Sequence, residues 1–280
     1  MDKTEFIPRK LLDLYYRINS DKYLYYFGSF NSWAEASESA NKYGNAYESE
    51  NIIRRVAEST QMVRAGEAVY EQDGQVFYEE RYIYELLTAL YYIANRLPEV
   101  SILDFGGALG STYFRYRKVL PKQVVSWNVV EQKHYVDLGM KSIPEIKFYY
   151  TVNDCVNDGK NINVALLLSV LPYLENPYAI IDEILQYHVK YIVIDETVFS
   201  TNDIEEKIVL QHVPEKIYKA VYPSHILNEK KLVDYFSKNG YKKIFGWDYP
   251  GGTVPTKTLF GFDRESNIDR GFLFERVDGI

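Results

Sequence analysis

The chain is poor in the residues that build redox and metal centres. Among 280 residues there is one cysteine, Cys155, and there are four histidines. A lone thiol excludes an internal disulfide framework and a zinc site built from several cysteines. Its ordinary role is that of a small buried apolar residue. Long apolar runs are missing too. None reaches the roughly 18 residues of a membrane span, and the N-terminal MDKTEFIPRK lacks the apolar core of a secretion signal. A cytoplasmic protein without a transmembrane segment is the expectation. Positive charge is scarce: 32 Lys and Arg face 39 Asp and Glu, for a net charge of −7. Binding a nucleic-acid backbone by counterion release needs a basic face, so nucleic acid is not an expected partner.

Several catalytic signatures are absent as well. There is no G-x-x-x-x-G-K-[ST] phosphate loop, no H-E-x-x-H zinc helix and no G-x-S-x-G nucleophile elbow. The D-x-D acid pair of metal-dependent sugar-nucleotide transfer is also missing, and no metal is expected. Tyrosine, by contrast, is plentiful, with 27 residues. Its apolar body packs and its hydroxyl hydrogen-bonds, so some of these rings are candidates to stack on a ligand.

The texture changes near Pro98. Before it the patterns are helical. SWAEASESANKYG starts at a capping Ser32 and stops at Gly44. EERYIYELLTALYYIANRL places Ile83, Leu86, Leu87, Leu90 and Ile93 on one stripe. Between these, Asp73-Gly74 predicts a tight turn. Residues 1–97 read as a mostly helical cap over the substrate region. From 98 to 280 short apolar strands alternate with helices: VSILDF, VVSWNVVE ending at Glu131, KFYYT, NVALLLSVL, and KYIVID ending at Asp195. Asn176-Pro177 caps one helix. Another runs from about Asn228 to Asn239 and stops at Gly240. KKIFGWDY and RGFLFERV look like closing strands, and a lid insertion is expected near 198–227. This alternation predicts an α/β class chain with a mostly parallel, doubly wound sheet. Ligands in such sheets sit at the carboxyl ends of the strands.

At the first of those ends stands Asp104-Phe-Gly106-Gly107-Ala108-Leu-Gly110. Glycines here let a ligand approach the backbone. The spacing matches G-x-G-x-x-G poorly, and Asp104 would set a negative charge beside a pyrophosphate. S-adenosyl-L-methionine carries no phosphate and has an ammonium near a sulfonium, so a carboxylate suits it, directly or through water. Glu131 follows about twenty residues on, where an acid accepts hydrogen bonds from ribose hydroxyls; that feature alone also fits NAD. Asp154 lies past the third strand, at the adenine edge, although Asn153-Asp154 equally resembles a helix cap. Ser169 to Tyr173 should floor the site under the sulfonium. For the general base, Asp195 is the first candidate and His225 the second. His134 is expected on the adenine side, and His212 on a lid helix. Tyr173 and Tyr222 could orient the acceptor.

LDFGGALGSTYF resembles motif I of class I S-adenosylmethionine-dependent methyltransferases. Together with FGSFNSWAEA, LLLSVLPYLENPY, YIVIDETVF and VYPSHIL, it is similar to a methyltransferase family associated with bacterial surface-polysaccharide (O-antigen and capsule) biosynthesis. The resemblance runs from about Phe27 to the C-terminus. It implies a Rossmann-like fold with a seven-stranded, mostly parallel sheet and helices on both faces. It also implies S-adenosyl-L-methionine as cofactor and a glycan or nucleotide-sugar acceptor. Asp104, Gly106, Gly110 and Glu131 carry over as cofactor residues, and Gly107 lies among them. Ala108 replaces the middle glycine of the family pattern. Glu196 stands where the family carries arginine, which bears on the acceptor and not on the cofactor. The rival readings are a non-catalytic binding module of the same fold in polysaccharide assembly and an NAD-linked sugar oxidoreductase. Self-association is left open.

Overall fold

The computed structural model describes residues 22–43, 50–158, 161–201, 206–250, 252, 254–259, 261–263 and 265–277. The chain opens with β1 (Tyr25–Phe30) and α1 (Trp33–Asn41). Ser32 caps α1 as expected: its hydroxyl accepts the Glu35 N–H at 3.2 Å while Glu35 reaches back to the Asn31 N–H at 3.0 Å. The expected stop at Gly44 lies outside the described residues. After α2 (Glu50–Ala65), β2 (Tyr70–Gln72) and β3 (Gln75–Phe77) form a hairpin. Asp73 and Gly74 close it with φ of 53° and 71°, the primed geometry that the pair predicts. Next comes α3 (Tyr84–Ala94), which buries Leu86, Leu90 and Ile93 on one stripe.

The alternating region follows: β4 (Val100–Phe105), α4 (Ser111–Tyr116), β5 (Val124–Val130), α5 (Lys133–Ser142), β6 (Lys147–Tyr149), α6 (Val152–Asn157), β7 (Val164–Leu168) and α7 (Pro177–Leu185). Then come β8 (Tyr191–Ser200), β9 (Lys207–Val213), β10 (Ala220–Ile226), α8 (Glu229–Lys238), β11 (Tyr241–Asp248), β12 (Thr256–Thr258), β13 (Gly261–Asp263) and β14 (Asn267–Arg276). Asn176 and Asn228 cap α7 and α8, accepting the N–H groups of Ala179 and Lys231 at 3.2 and 2.8 Å. A seven-stranded sheet runs β11-β14-β8-β7-β4-β5-β6. Its neighbours are parallel except around β14, which is antiparallel to β8 and β11. The order reverses between β4 and β7, and this switch point opens a crevice at the strand ends. The fold is therefore the expected Rossmann-like one, with the apolar β7 buried along nearly its whole length.

The region before Pro98 differs from the expected helical cap. Its α3 packs into the main core with Ile102, Val193 and Leu273, because a stripe of Leu and Ile needs an apolar partner and the sheet face supplies one. Its β1 belongs to a second sheet, ordered β10-β9-β1-β12-β13. That sheet gathers segments from three distant parts of the chain. The expected lid helix carrying His212 is instead strand β9, paired in register with β10 and β1. The strand expected to end at Asp195 continues to Ser200, because β14 pairs along its full length.

Candidate active site at the strand ends

Asp104 is the penultimate residue of β4, flanked in register by Val129 of β5 and Leu166 of β7. It is 1% exposed, and the Trp127 indole N–H donates to its Oδ2 at 2.9 Å. Burial pushes its carboxyl up to about 7; the Glu131 charge adds to the rise and the Trp127 bond opposes it. The glycine turn folds directly over this group. A Cβ on Gly107 would lie 2.5 Å from Asp104 Oδ2, and one on Gly110 would lie 2.3 Å from Ile146 Cδ1. Gly106, Ala108 and Gly110 all stand at positive φ, 77°, 48° and 84°. These are the three glycine positions of the motif, so the pattern records backbone handedness as well as close approach.

Glu131 follows β5 and faces the same turn. Its Oε1 accepts the Gln132 N–H at 3.0 Å. Burial raises its pKa, while the Gln132 and Ala108 N–H groups hold it down. A Cβ on Gly106 would meet Val170 Cγ2 at 2.7 Å, with Glu131 Oε2 at 3.9 Å, so the bare glycine makes room for the Val170 side chain beside the acid. Ser169 stands just past β7, exposed, with φ of 52°; its N–H donates to the Asp195 carbonyl at 3.0 Å. Asp154 is exposed in the first turn of α6. The cap there is Thr151, whose hydroxyl accepts the Asp154 N–H at 3.0 Å, and not the Asn153-Asp154 pair. His134 lies in the first turn of α5 with its Nε2 buried and without a hydrogen bond.

Asp195 and Glu196 sit on a β-bulge of β8. Ile194 pairs with Phe272 and Thr197 with Arg270, which leaves two residues opposite Gly271. Glu196 adopts φ of 49°, so the two acids do not simply alternate across the sheet. Asp195 is 1% exposed. Its Oδ1 accepts the Glu196 N–H and the Trp247 indole N–H, each at 2.9 Å, while its Oδ2 is buried without a partner. The Trp247 ring reaches it by lying across Gly271, where a Cβ would meet Trp247 Cε2 at 2.1 Å. Burial raises Asp195 to about 6. Glu196 is raised to about 8, by burial first and then by the charges of Asp195 and Asp73; Arg115 and the Tyr249 hydroxyl oppose the rise.

A wall of tyrosines faces these acids. Tyr26, Gln211 and Tyr222 stand side by side across β1, β9 and β10. Gln211 Nε2 donates to the Tyr26 hydroxyl at 3.4 Å, and the Gln211 amide also bonds the Tyr173 hydroxyl. Tyr173 ends a short 3₁₀ turn (Leu171–Tyr173) and meets Tyr222 edge to face, centroids 5.3 Å apart. Asp73, at the β2–β3 tip, keeps an accessible surface, yet desolvation raises its pKa. The Asp73 charge raises the pKa of Glu196, Tyr173, Tyr218 and Tyr222, and the hairpin tip is tied to α2 by the Ser59 hydroxyl, which donates to the Gly74 carbonyl at 2.8 Å.

His225 does not join Asp195: among the described residues no hydrogen bond or ring contact links them. Its ring stacks on Trp33 at 4.9 Å, and its Nε2 faces the Glu175 carbonyl at 3.3 Å. Burial lowers its pKa. His212 stacks on Tyr25 at 4.6 Å with Nδ1 against the Tyr23 carbonyl at 3.0 Å. Sequence reasoning missed Asp73, Gln211, Tyr26, Trp127 and Trp247. Asp73 read as turn chemistry alone, and nothing local marks Gln211. Two open clefts beside α8, lined by residues such as Asn228, Lys230 and Asp234, contain none of these groups.

No protein-family model and no curated protein matches the chain. Solved structures similar to it include the N-terminal domain of EvdMO1 in the presence of SAH and D-fucose. That match has 13% identity and a TM-score of 0.49, covering 81% of this chain and 96% of the other. CalS10, an amino pentose methyltransferase from Micromonospora echinaspora involved in calicheamicin biosynthesis, has 13% identity and a TM-score of 0.44, covering 83% and 99%. The 1,6-didemethyltoxoflavin-N1-methyltransferase of Burkholderia thailandensis has 12% identity and a TM-score of 0.42, covering 84% and 92%. The Rossmann-like character of the chain lies in the strand order of its central sheet, β11-β14-β8-β7-β4-β5-β6.

Proposed function

We propose that this chain is an S-adenosyl-L-methionine-dependent methyltransferase. Its proposed acceptor is a hydroxyl of a sugar in a surface polysaccharide or of its nucleotide-sugar precursor. The observation that carries the reading is the placement of two desolvated carboxyls, Asp104 and Glu131, beneath and beside the glycine turn. A pyrophosphate over that turn would meet like charge in a low-dielectric site. A phosphate-free, cationic ligand meets opposite charge instead. The residues fit the cofactor on this count.

In this reading Glu131 accepts from the ribose hydroxyls, the turn from Gly106 to Gly110 lies against the methionyl end, and Asp104 holds the turn from below. Ser169 and Tyr173 floor the site, and Asp154 stands at the adenine edge. The cofactor supplies a methyl group on a sulfonium. The chain must hold the acceptor oxygen in line with it and take up the hydroxyl proton. Asp195 is the proposed base, because its Oδ2 is unpartnered and its carboxyl is raised to about 6. His225 suits the role less, since its Nε2 points at a carbonyl and so donates there. Tyr173, Tyr222 and Glu196 are the proposed acceptor contacts.

Calorimetric titration with S-adenosylhomocysteine tests the reading. Micromolar binding is expected, falling at least 100-fold in Asp104→Ala and Glu131→Ala. An absence of binding at millimolar ligand, or unchanged affinity in both variants, would falsify it.

A further inference from the structure

We propose that Glu71, on the β2–β3 hairpin, is a positioning residue for the glycine turn: its carboxyl anchors Ser111 and so fixes the far end of the turn for the cofactor. The inference deepens the methyl-transfer reading and rests on it for the ligand, but not for the anchor itself. Its first support is geometry. The Ser111 hydroxyl donates to Glu71 Oε1, and the Gly74 N–H donates to Glu71 Oε2 at 3.2 Å. One carboxyl thus joins the hairpin to a residue 40 positions further along the chain. Ser111 directly follows Gly110, so the bond reaches the turn at its last residue. The hairpin end of the link is itself held, since the Gly74 carbonyl accepts the Ser59 hydroxyl from α2 at 2.8 Å.

The second support is how the turn is otherwise held. Gly106, Gly107 and Gly110 bring no side chains to pack, and glycine backbone is the most free to wander. The near end is fixed by the sheet: the Gly106 N–H donates to the Val130 carbonyl at 2.9 Å. The middle closes on itself, Gly110 N–H to Gly107 carbonyl, at 2.8 Å, and Leu109 is buried in the core. Past Gly110 the segment before Pro98 takes over. The Arg81 carbonyl accepts from Arg115 Nε at 2.8 Å, the Val63 carbonyl accepts from Arg117 at 3.3 Å, and the Ile83 N–H donates to the Tyr116 hydroxyl at 3.0 Å. Of these links, the one through Glu71 lies nearest the turn, and Glu71 is 3% exposed. Burial pushes its carboxyl up to about 7, and the Ser111 and Gly74 bonds oppose the rise. An apolar side chain here would avoid that desolvation but would give Ser111 no direction.

The test compares the full chain with Glu71→Ala, Glu71→Gln, Ser111→Ala and the double alanine variant. Hydrogen exchange is read by mass spectrometry without ligand, and S-adenosylhomocysteine affinity by calorimetry. In Glu71→Ala the amides from Gly107 to Phe114 should exchange about tenfold faster while those of β7 keep the parent rate, which separates a loosened turn from a weaker fold. Affinity should fall about tenfold, as the loss of one buried hydrogen bond implies. Glu71→Gln should restore both, because its amide oxygen can accept the Gly74 N–H while its amide N–H donates to the Ser111 hydroxyl. The double variant should bind no more weakly than Glu71→Ala, since the two side chains act as one unit. Should Glu71→Ala fold poorly, Ser111→Ala against Ser111→Thr carries the same two readouts, because threonine keeps the hydroxyl. Unchanged affinity in Glu71→Ala, a loss that Glu71→Gln does not restore, or additive losses in the double variant overturns the inference. If the parent binds no S-adenosylhomocysteine and the turn still loosens in Glu71→Ala, only the methyl-transfer reading fails. If the parent binds it and the turn stays as protected in Glu71→Ala, only the anchor fails.

Discussion

Two buried aspartates sit at the ends of neighbouring parallel strand groups, each held by an indole N–H at 2.9 Å: Asp104 by Trp127 and Asp195 by Trp247. The resemblance ends there. Asp104 lies under a backbone turn stripped of side chains, and its surroundings come from β4, β5 and the turn between β4 and α4. Asp195 lies on a bulge, keeps an unpartnered oxygen, and is joined by the Trp247 indole from β11. The first aspartate supports a surface that local sequence builds. The second belongs to a space that only the assembled chain encloses. Positive φ at the turn and a positive φ at Glu196 are both strain devices, but they position different things: a backbone in one case and a carboxyl in the other.

The largest expected effect breaks the turn. Gly110→Ala forces a methyl to within 2.3 Å of Ile146 Cδ1 at φ of 84°. Left-handed strain of about 1–2 kcal/mol adds to overpacking of about 1–3 kcal/mol. Urea denaturation should show a loss of about 2–5 kcal/mol, with S-adenosylhomocysteine binding abolished. A stable variant with intact binding would mean that the turn does not position the cofactor.

The matched pair Trp127→Phe and Trp247→Phe sharpens the comparison. Each removes the only donor that its aspartate receives from an indole, at a cost of about 1–3 kcal/mol for a buried acceptor. Trp127→Phe should weaken cofactor binding. Trp247→Phe should leave that binding within about twofold. It should instead shift the acidic limb of the methyl-transfer pH profile upward, since the Trp247 bond holds the Asp195 pKa down. Identical consequences for the two variants would erase the distinction drawn above.

The difference between the regions also explains what was legible in the sequence. The strands, the α7 and α8 caps and the acid–glycine turn follow from short-range patterns, and each was readable within a window of about ten residues. The second sheet was not, because β1, β9 and β12 each meet partners far away in the chain. LQHV reads as part of a helix or a strand with equal ease until Tyr26 and Tyr222 are set beside Gln211. Asp73 shows the same limit from the other side. The turn was predicted correctly, yet the effect of its charge on Glu196 and Tyr173 depends on where the whole hairpin lands. The stripe on α3 was legible as that of a buried helix, while the sheet face it packs on was not.

A smaller effect concerns pH. Asp195 and Asp269 are raised to about 6, Glu71 and Asp104 to about 7, and Glu196 to about 8. In every case burial is the first cause. The folded state therefore binds more protons than the unfolded chain between about pH 4 and 8, and stability falls as pH rises through that window. The thermal midpoint should be several degrees higher at pH 5.5 than at pH 8. Asp104→Asn should flatten the turn's share of this slope, and Glu196→Gln the β8 bulge's share. A flat profile in the parent chain would show that these carboxyls are ionised and paired in solution.

The smallest effect tests the handedness argument alone. Ala108 occupies the middle glycine position at φ of 48°. Ala108→Gly relieves a left-handed penalty of about 1–2 kcal/mol and returns about 0.4–1 kcal/mol of disorder to the unfolded chain. The first contribution is the larger, so the variant should be more stable by up to about 1.6 kcal/mol, with cofactor affinity unchanged or slightly improved. The Ala108 N–H that bonds Glu131 is kept in either residue, which separates backbone strain from the hydrogen bond. A destabilised Ala108→Gly would mean that the methyl group packs usefully under the turn, and that alanine was retained for contact despite its backbone.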